Sequence, residues 1–161
     1  MTEPRPIAVF DIDGVLADVR HRLHHVDTKP KNWDLFFEAA ADDEPLAEGL
    51  ALAQELSADH EIVYLTGRPE RTRRDTADWL RDHALPPGKL LMRREGDRRP
   101  ARMVKLAVAR QLADKGRLAI VVDDDPDVVA ALTEAGLPVR HAQWMTRSPT
   151  LHDAQERDGR T

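Results

Sequence analysis

The sequence has no cysteine at all. That excludes disulfides, thiolate metal ligands and cysteine nucleophiles, and it suits a reducing compartment. Aromatics are scarce, with three Trp, three Phe and one Tyr, so the group Trp33, Phe36 and Phe37 stands out. A long apolar run is also missing, and no membrane span is expected. The opening MTEPRPIAVF lacks a basic segment leading into an apolar stretch with a cleavage site. No secretion signal is read there, and a cytoplasmic location is expected. Nor is there an internal repeat, a low-complexity tract or a linker long enough to separate a second domain from the first.

What is present is enough for one domain with a real core: 161 residues, 41% of them apolar. The net charge of −5, taken whole, argues against a polyanionic partner. Its distribution argues otherwise. Residues 68–117 hold fifteen Lys and Arg against seven Asp and Glu, while the rest of the chain holds nine against twenty-two. Such a basic middle can steer a polyanion to one face, or it can be the wet side of helices.

Ile7-Ala8-Val9-Phe10 reads as a buried parallel strand ending at Asp11. After an irregular stretch from Asp18 to Glu44, with a short helix near residues 33–37, leucines from Leu46 to Leu56 recur at helical spacing. Further strands are predicted at 62–65, 90–92, 118–122 and from Pro138. They alternate with helices at 71–83, 103–113 and from Pro126, a residue suited to a first helical position. Strands alternating with helices predict an α/β fold with a parallel sheet and helices on both faces. Residues 1–145 are expected to form one domain with a small insert at about 18–44, and the polar residues 146–161 a flexible tail.

Three strands end in polar residues. Asp11 and Asp13 follow the first, Thr66 the second, Asp123 and Asp124 the fourth. In open parallel sheets the site lies beyond the carboxyl ends of the strands. A lone Asp after a strand is usually a turn or cap residue, but three such ends point to a single site. Carboxylates packed together repel unless a cation sits among them, and magnesium prefers such oxygen ligands. Phosphoryl transfer needs that charge, an in-line nucleophile and a proton donor.

These residues carry a resemblance. Asp11-Ile12-Asp13-Gly14-Val15 resembles the first motif of the haloacid dehalogenase (HAD) superfamily, DxDG[TV]. Leu65-Thr66-Gly67-Arg68 is similar to its second motif, Lys105 stands in the place of the third-motif lysine, and Asp123-Asp124 is similar to the fourth-motif acidic pair. The ordered set spans Phe10 to about Trp144. The resemblance implies a HAD-like Rossmannoid three-layer sandwich, with a five-stranded parallel sheet and a minimal cap insert. It implies a Mg2+-dependent phosphomonoesterase. Asp11 would attack phosphorus and form an aspartyl-phosphate, and Asp13 would serve as acid and then base. Thr66 and Lys105 would hold the phosphoryl oxygens. Asp11, Asp13 through its carbonyl, Asp123 and Asp124 would hold the metal, and Asp127 is an alternative second acid. Asp125 has a simpler reading, as the cap of the helix starting near Pro126.

Within the superfamily, Thr66-Gly67-Arg68, Met92-Arg93, Gly96-Asp97-Arg98, Val104-Lys105 and Arg22 resemble the phosphatase domain of the polynucleotide kinase–phosphatase family. That resemblance implies a substrate with a polynucleotide 3′-phosphate end, bound by Gly67, Arg68 and Arg22. Where the family often carries an acid shortly before the motif-three lysine, this chain has Pro100-Ala101-Arg102. These residues contain no GxxxxGK[ST] loop, so kinase activity would need another chain, and a kinase or ligase partner is compatible. Other readings are a nucleotidase, a small-metabolite phosphatase and a non-catalytic phosphate-binding module. The small insert favours an open site.

Blander readings stand beside the sharper ones. His21, His24 and His25 lack the further ligands a zinc site needs. Trp33, Phe36 and Phe37 either pack the cap or stack on a base. Arg71, Arg73 and Arg74 either touch a phosphate backbone or pair with nearby acids along their helix.

Overall fold

The computed structural model describes residues 3–161. The apolar run at residues 7–10 becomes β1 (Ile7–Phe10), with all four residues buried. The chain then builds β2 (Ala17–Asp18), α1 (Trp33–Glu38), β3 (Glu44–Pro45), α2 (Ala47–Leu56) and β4 (Glu61–Pro69). It continues through α3 (Arg73–Asp82), β5 (Gly88–Arg93), α4 (Ala101–Asp114), β6 (Leu118–Asp123), α5 (Pro126–Glu134), β7 (Val139–His141) and α6 (Pro149–His152). Five strands pair in the order β5-β4-β1-β6-β7, all parallel. The predicted α/β, three-layer, five-stranded parallel architecture is the one observed.

Alternation along β1 divides the core. Ala8 and Phe10 face one way, toward Ala53 of α2 and Trp79 and Leu80 of α3. Ile7 and Val9 face the other way, toward Ala101 and Ala109 of α4 and Val128 and Leu132 of α5. A central strand covered on both faces has no place for a polar side chain until it ends, which is why Asp11 marks its end.

The insert after β1 is tied at its base. β2 and β3 pair antiparallel, Ala17 opposite Pro45 and Asp18 opposite Glu44. Inside it, α1 starts at Asn32, whose side chain accepts a hydrogen bond from the Leu35 amide at 3.0 Å. Phe36 and Phe37 pack with Val19, Leu23 and Val26.

Residues 146–161 differ from expectation. Their polarity predicts a frayed tail, yet the chain folds back as α6 followed by a π-helical turn at Asp153–Arg157. The reason is local. Leu151 joins the apolar cluster of the cap with Met145, and Ala154 is buried beside it. Glu156 takes Arg102 Nη1 at 2.6 Å and the Arg102 amide at 3.1 Å.

Candidate active site

The carboxyl ends of β1, β4 and β6 meet at one place, and each side chain there is fixed by its strand. The Asp11 amide donates to the Val122 carbonyl at 3.0 Å, which holds the ends of β1 and β6 level. Asp11, Asp123 and Asp124 are all buried, and one carboxylate oxygen from each lies within 4.8 Å of the others. Gly14, at φ +84°, lets the chain turn against Asp124, where a Cβ would strike its carboxylate.

Lys105 reaches this cluster from α4. Its Nζ donates to Asp123 Oδ2 at 2.7 Å and stands 3.1 Å from Asp11 Oδ1. Burial alone would lower the lysine pKa, but Asp11 and Asp123 raise it well above the ordinary value. The ammonium therefore stays charged. Burial pushes the Asp11 carboxyl well above its usual range. Lys105 opposes that rise, while Asp123 and Asp124 add to it. Asp124 is raised to about 6, chiefly by burial and then by Asp123, with Arg147 opposing. Arg147 Nη1 and Gln155 Nε2, both from the folded-back segment, donate to its carboxylate.

A second group forms one step along the site. Asp13 Oδ1 accepts from Arg22 Nη2 at 3.0 Å and from Arg68 Nε and Nη2 at 3.0 and 2.5 Å. Burial would raise the Asp13 pKa, but the Arg68 and Arg22 guanidiniums hold it far below the usual carboxylate range. Both arginines also bind Asp43, whose side chain is fully buried. Arg22 Nε and Nη2 donate to it at 2.9 and 3.0 Å, and Arg68 Nη2 at 3.3 Å. His21 Nε2 lies 2.6 Å from Asp43 Oδ1, and Trp79 Nε1 donates to the Asp43 carbonyl at 2.9 Å. Two acids and two guanidiniums thus close a buried square.

Thr66 and Gly67 lie between the two groups, in the part of β4 where its pairing with β5 is interrupted between Leu65 and Pro69. Thr66 Oγ1 accepts the Arg68 amide at 3.2 Å. Arg93, buried in β5, donates from Nε to the Gly67 carbonyl at 2.9 Å and from Nη1 to the Arg99 carbonyl at 2.7 Å. Thr161 is buried here too, with its hydroxyl on Asp13 Oδ2 and its main chain against Gly67.

The structure thus brings together Asp11, Asp123, Asp124 and Lys105, and beside them Asp13, Arg22, Thr66, Gly67 and Arg68. The Asp13 carboxylate faces the arginines rather than the other three acids. Asp127 lies apart, with Oδ2 3.0 Å from His152 Nε2. Asp125 caps α5 through the Asp127 amide at 2.9 Å. The histidines do not converge on one point: His21 turns to Asp43, while the rings of His24 and His25 pack on each other, centroids 4.0 Å apart. Sequence reasoning missed Asp43, Arg147 and Gln155, none of which sits in a motif. Only the position of Asp43 at the end of the cap insert hinted at it.

Whether a divalent cation fits can be tested on Asp11. Its Oδ2 is buried without a hydrogen-bond partner among the described residues. An unpartnered Asp11 oxygen, in a cluster where the Lys105 ammonium and the Arg147 guanidinium face three buried carboxylates, leaves an excess of negative charge and a set of oxygens that could hold a hard cation.

A parallel α/β sheet that ends its first strand in an acid pair, carries Thr66 and Gly67 where β4 leaves its regular pairing, and sets a lysine against a further acid pair fits a HAD-type phosphatase. Within that class the chain belongs to the family described as the polynucleotide kinase PNKP phosphatase domain, whose profile matches residues 5–144. No curated protein matches the sequence. Among solved structures, the Pnkp1/Rnl/Hen1 complex has a chain that is 19% identical with a TM-score of 0.70. The match covers 91% of this chain and 49% of that one, so this chain spans about half of it. A HAD-like hydrolase from Streptococcus pneumoniae is 15% identical at a TM-score of 0.62, with 94% and 91% covered. A class C acid phosphatase from Bacillus anthracis with tungstate bound is 16% identical at a TM-score of 0.62, with 95% and 78% covered. Among the described residues, no helix is long and apolar enough to cross a membrane.

Proposed function

We propose that this chain is a magnesium-dependent phosphomonoesterase that removes phosphate from polynucleotide 3′ ends through an aspartyl-phosphate on Asp11. The carrying observation is Asp11 itself, buried among two acids and Lys105 with one oxygen unpartnered. In this reading Asp11, Asp123 and the Asp13 carbonyl would hold magnesium, with Asp124 supporting them. A bound magnesium ion would supply charge neutralisation for the carboxylates and the phosphoryl oxygens.

The chain's own groups divide the work. A carboxylate oxygen of Asp11 attacks phosphorus as the P–O bond to the 3′ oxygen breaks, and Asp13 gives that oxygen a proton. Water then attacks phosphorus, Asp13 takes its proton, and phosphate and free Asp11 result. Thr66, Gly67 and Lys105 hold the phosphoryl oxygens. In the substrate-free square Asp13 is held ionised, the wrong state for an acid. A phosphate drawing Arg22 and Arg68 onto itself relieves that hold and lets Asp13 carry a proton. Substrate binding and acid catalysis are thereby coupled through the two arginines.

The polynucleotide substrate is supported by the family and by the basic stretch at residues 68–117. The domain reading belongs to the same proposal: one cytoplasmic catalytic unit over residues 1–145 with a small cap at about 18–44, and residues 146–161 folded onto that unit. The resemblance to a chain of the Pnkp1/Rnl/Hen1 RNA repair complex also supports a kinase or ligase partner. The test is phosphate release from a 3′-phosphorylated oligonucleotide, a 5′-phosphorylated one and free mononucleotides, with and without Mg2+. Magnesium-dependent release from the first is expected. Turnover of mononucleotides alone would make the enzyme a nucleotidase, and no turnover of any would leave a binding module.

A further inference from the structure

We propose that the groove between Trp33 and Arg71 binds the nucleotide adjoining the 3′ end of a single-stranded polynucleotide, its base on Trp33 and its phosphate on Arg71. The inference rests on the polynucleotide reading above and deepens it.

The three cap aromatics are not equivalent. Phe36 and Phe37 are buried and do the packing. Trp33 is only half-buried and lines an open groove of about 370 Å³ with Lys31, Asp34, Arg71 and Arg160. The indole is braced by Phe37, ring centroids 6.1 Å apart and 28° from parallel. The Arg160 guanidinium lies 5.1 Å from the Trp33 centroid, so the indole already accepts a flat cationic group against its face. A nucleobase presents the same flat shape, and stacking on an aromatic face tolerates any base.

The charges around the groove suit a phosphate. Arg71 follows Arg68 by three residues, and its guanidinium sits 5.2 Å from the Phe37 ring centroid. It pairs with Glu95 at 3.2 Å and Asp34 at 3.5 Å, both solvent-exposed acids. Exposed pairs of this kind are weak, so a phosphate can displace them. Lys31 is held by Asp158 at 2.7 Å. Arg160 has no carboxylate within salt-bridge distance among the described residues. Burial and the nearby charges of Arg98 and Arg71 lower its pKa, with Asp158 and Asp34 opposing. The groove also adjoins the reacting centre. Arg160 precedes Thr161, whose hydroxyl touches Asp13, and Arg68 binds Asp13 directly. A terminal phosphate at Asp11 would take the place of Thr161, and the same displacement would draw Arg160 off the Trp33 face and open it to the neighbouring base.

Binding, rather than turnover, tests this. Anisotropy of a labelled single-stranded oligonucleotide without a 3′-phosphate, titrated with the full chain over a range of KCl, gives Kd and its salt slope. Trp33→Ala should weaken Kd about tenfold with the slope unchanged, and Trp33→Phe should restore most of the loss. Arg71→Ala should reduce the salt slope by about 0.7. Arg71 is exposed enough that its removal leaves the fold intact, so a Trp33→Ala chain that misfolds leaves Trp33→Leu, which keeps apolar bulk but loses the flat face, and Arg71→Ala to decide. Wild-type affinity and slope in both of those, or no oligonucleotide binding by the wild type, overturns the subsite. A wild type that binds through these residues yet releases no phosphate from any end keeps the subsite and rejects the phosphatase reading. One that dephosphorylates 3′ ends while ignoring both substitutions does the reverse.

Discussion

A carboxylate removed from water is stable only when cations share its space, and Asp13 and Asp43 meet that need with Arg22 and Arg68. Removing one member strands the others. Asp43→Ala should cost about 3–5 kcal/mol in chemical denaturation, and it should lower kcat/KM because both arginines lose their anchor. Asp11 illustrates the opposite balance, with too many acids for the cations at hand. Its raised pKa, and that of Asp124 at about 6, mean that the folded state binds protons more tightly than the unfolded one. In EDTA these two carboxyls should therefore contribute stability that is present below the ordinary carboxyl pKa and lost as pH rises through about 6, a loss that Asp125, raised to about 8 chiefly by burial, extends upward. Melting curves across pH, with and without Mg2+, check this, and restored stability with metal is expected at neutral pH. Asp11→Asn should abolish turnover, keep the fold, and match or exceed the wild-type Tm in EDTA at neutral pH. A large fall in Tm would contradict the crowding argument.

At the scale of elements, strands and helices were legible because period and punctuation suffice for them. Ile7–Phe10 is an uninterrupted apolar run, and Asp125-Pro126 announces the start of α5. β2 and β3 were not legible, since two residues each carry no period and their pairing spans the whole cap insert. Helix α2 carries a further constraint. Gly49 packs so closely on the loop after β1 that a Cβ would collide with the Val15 carbonyl. Ala is favoured over Gly inside a helix by about 1 kcal/mol, but a collision with main chain outweighs that. Gly49→Ala should destabilise by about 1–3 kcal/mol in urea, and a stabilised variant would show that α2 can slide without cost.

At the scale of the whole molecule, residues 146–161 pack against the site. Thr161 lies against Asp13 and Gly67; in the proposed mechanism a phosphoryl group takes that space, and the segment would then have to move aside before substrate binds. Ending the chain after Asp158 should raise kcat/KM for p-nitrophenyl phosphate several-fold. Unchanged initial rates would mean the segment leaves at negligible cost. The amino-acid sequence by itself determined the layered α/β plan and the acids, threonine and lysine at the site. Strand period and strand-end placement are local properties, and a parallel sheet gathers its strand ends on one edge. Only the tertiary structure decided that Asp43 joins the arginine pair, that Trp33 rather than Phe36 or Phe37 faces solvent, and that the polar final residues are packed. Each of these depends on contacts between segments far apart in the chain, where burial and charge pairing are set by neighbours that no local pattern names.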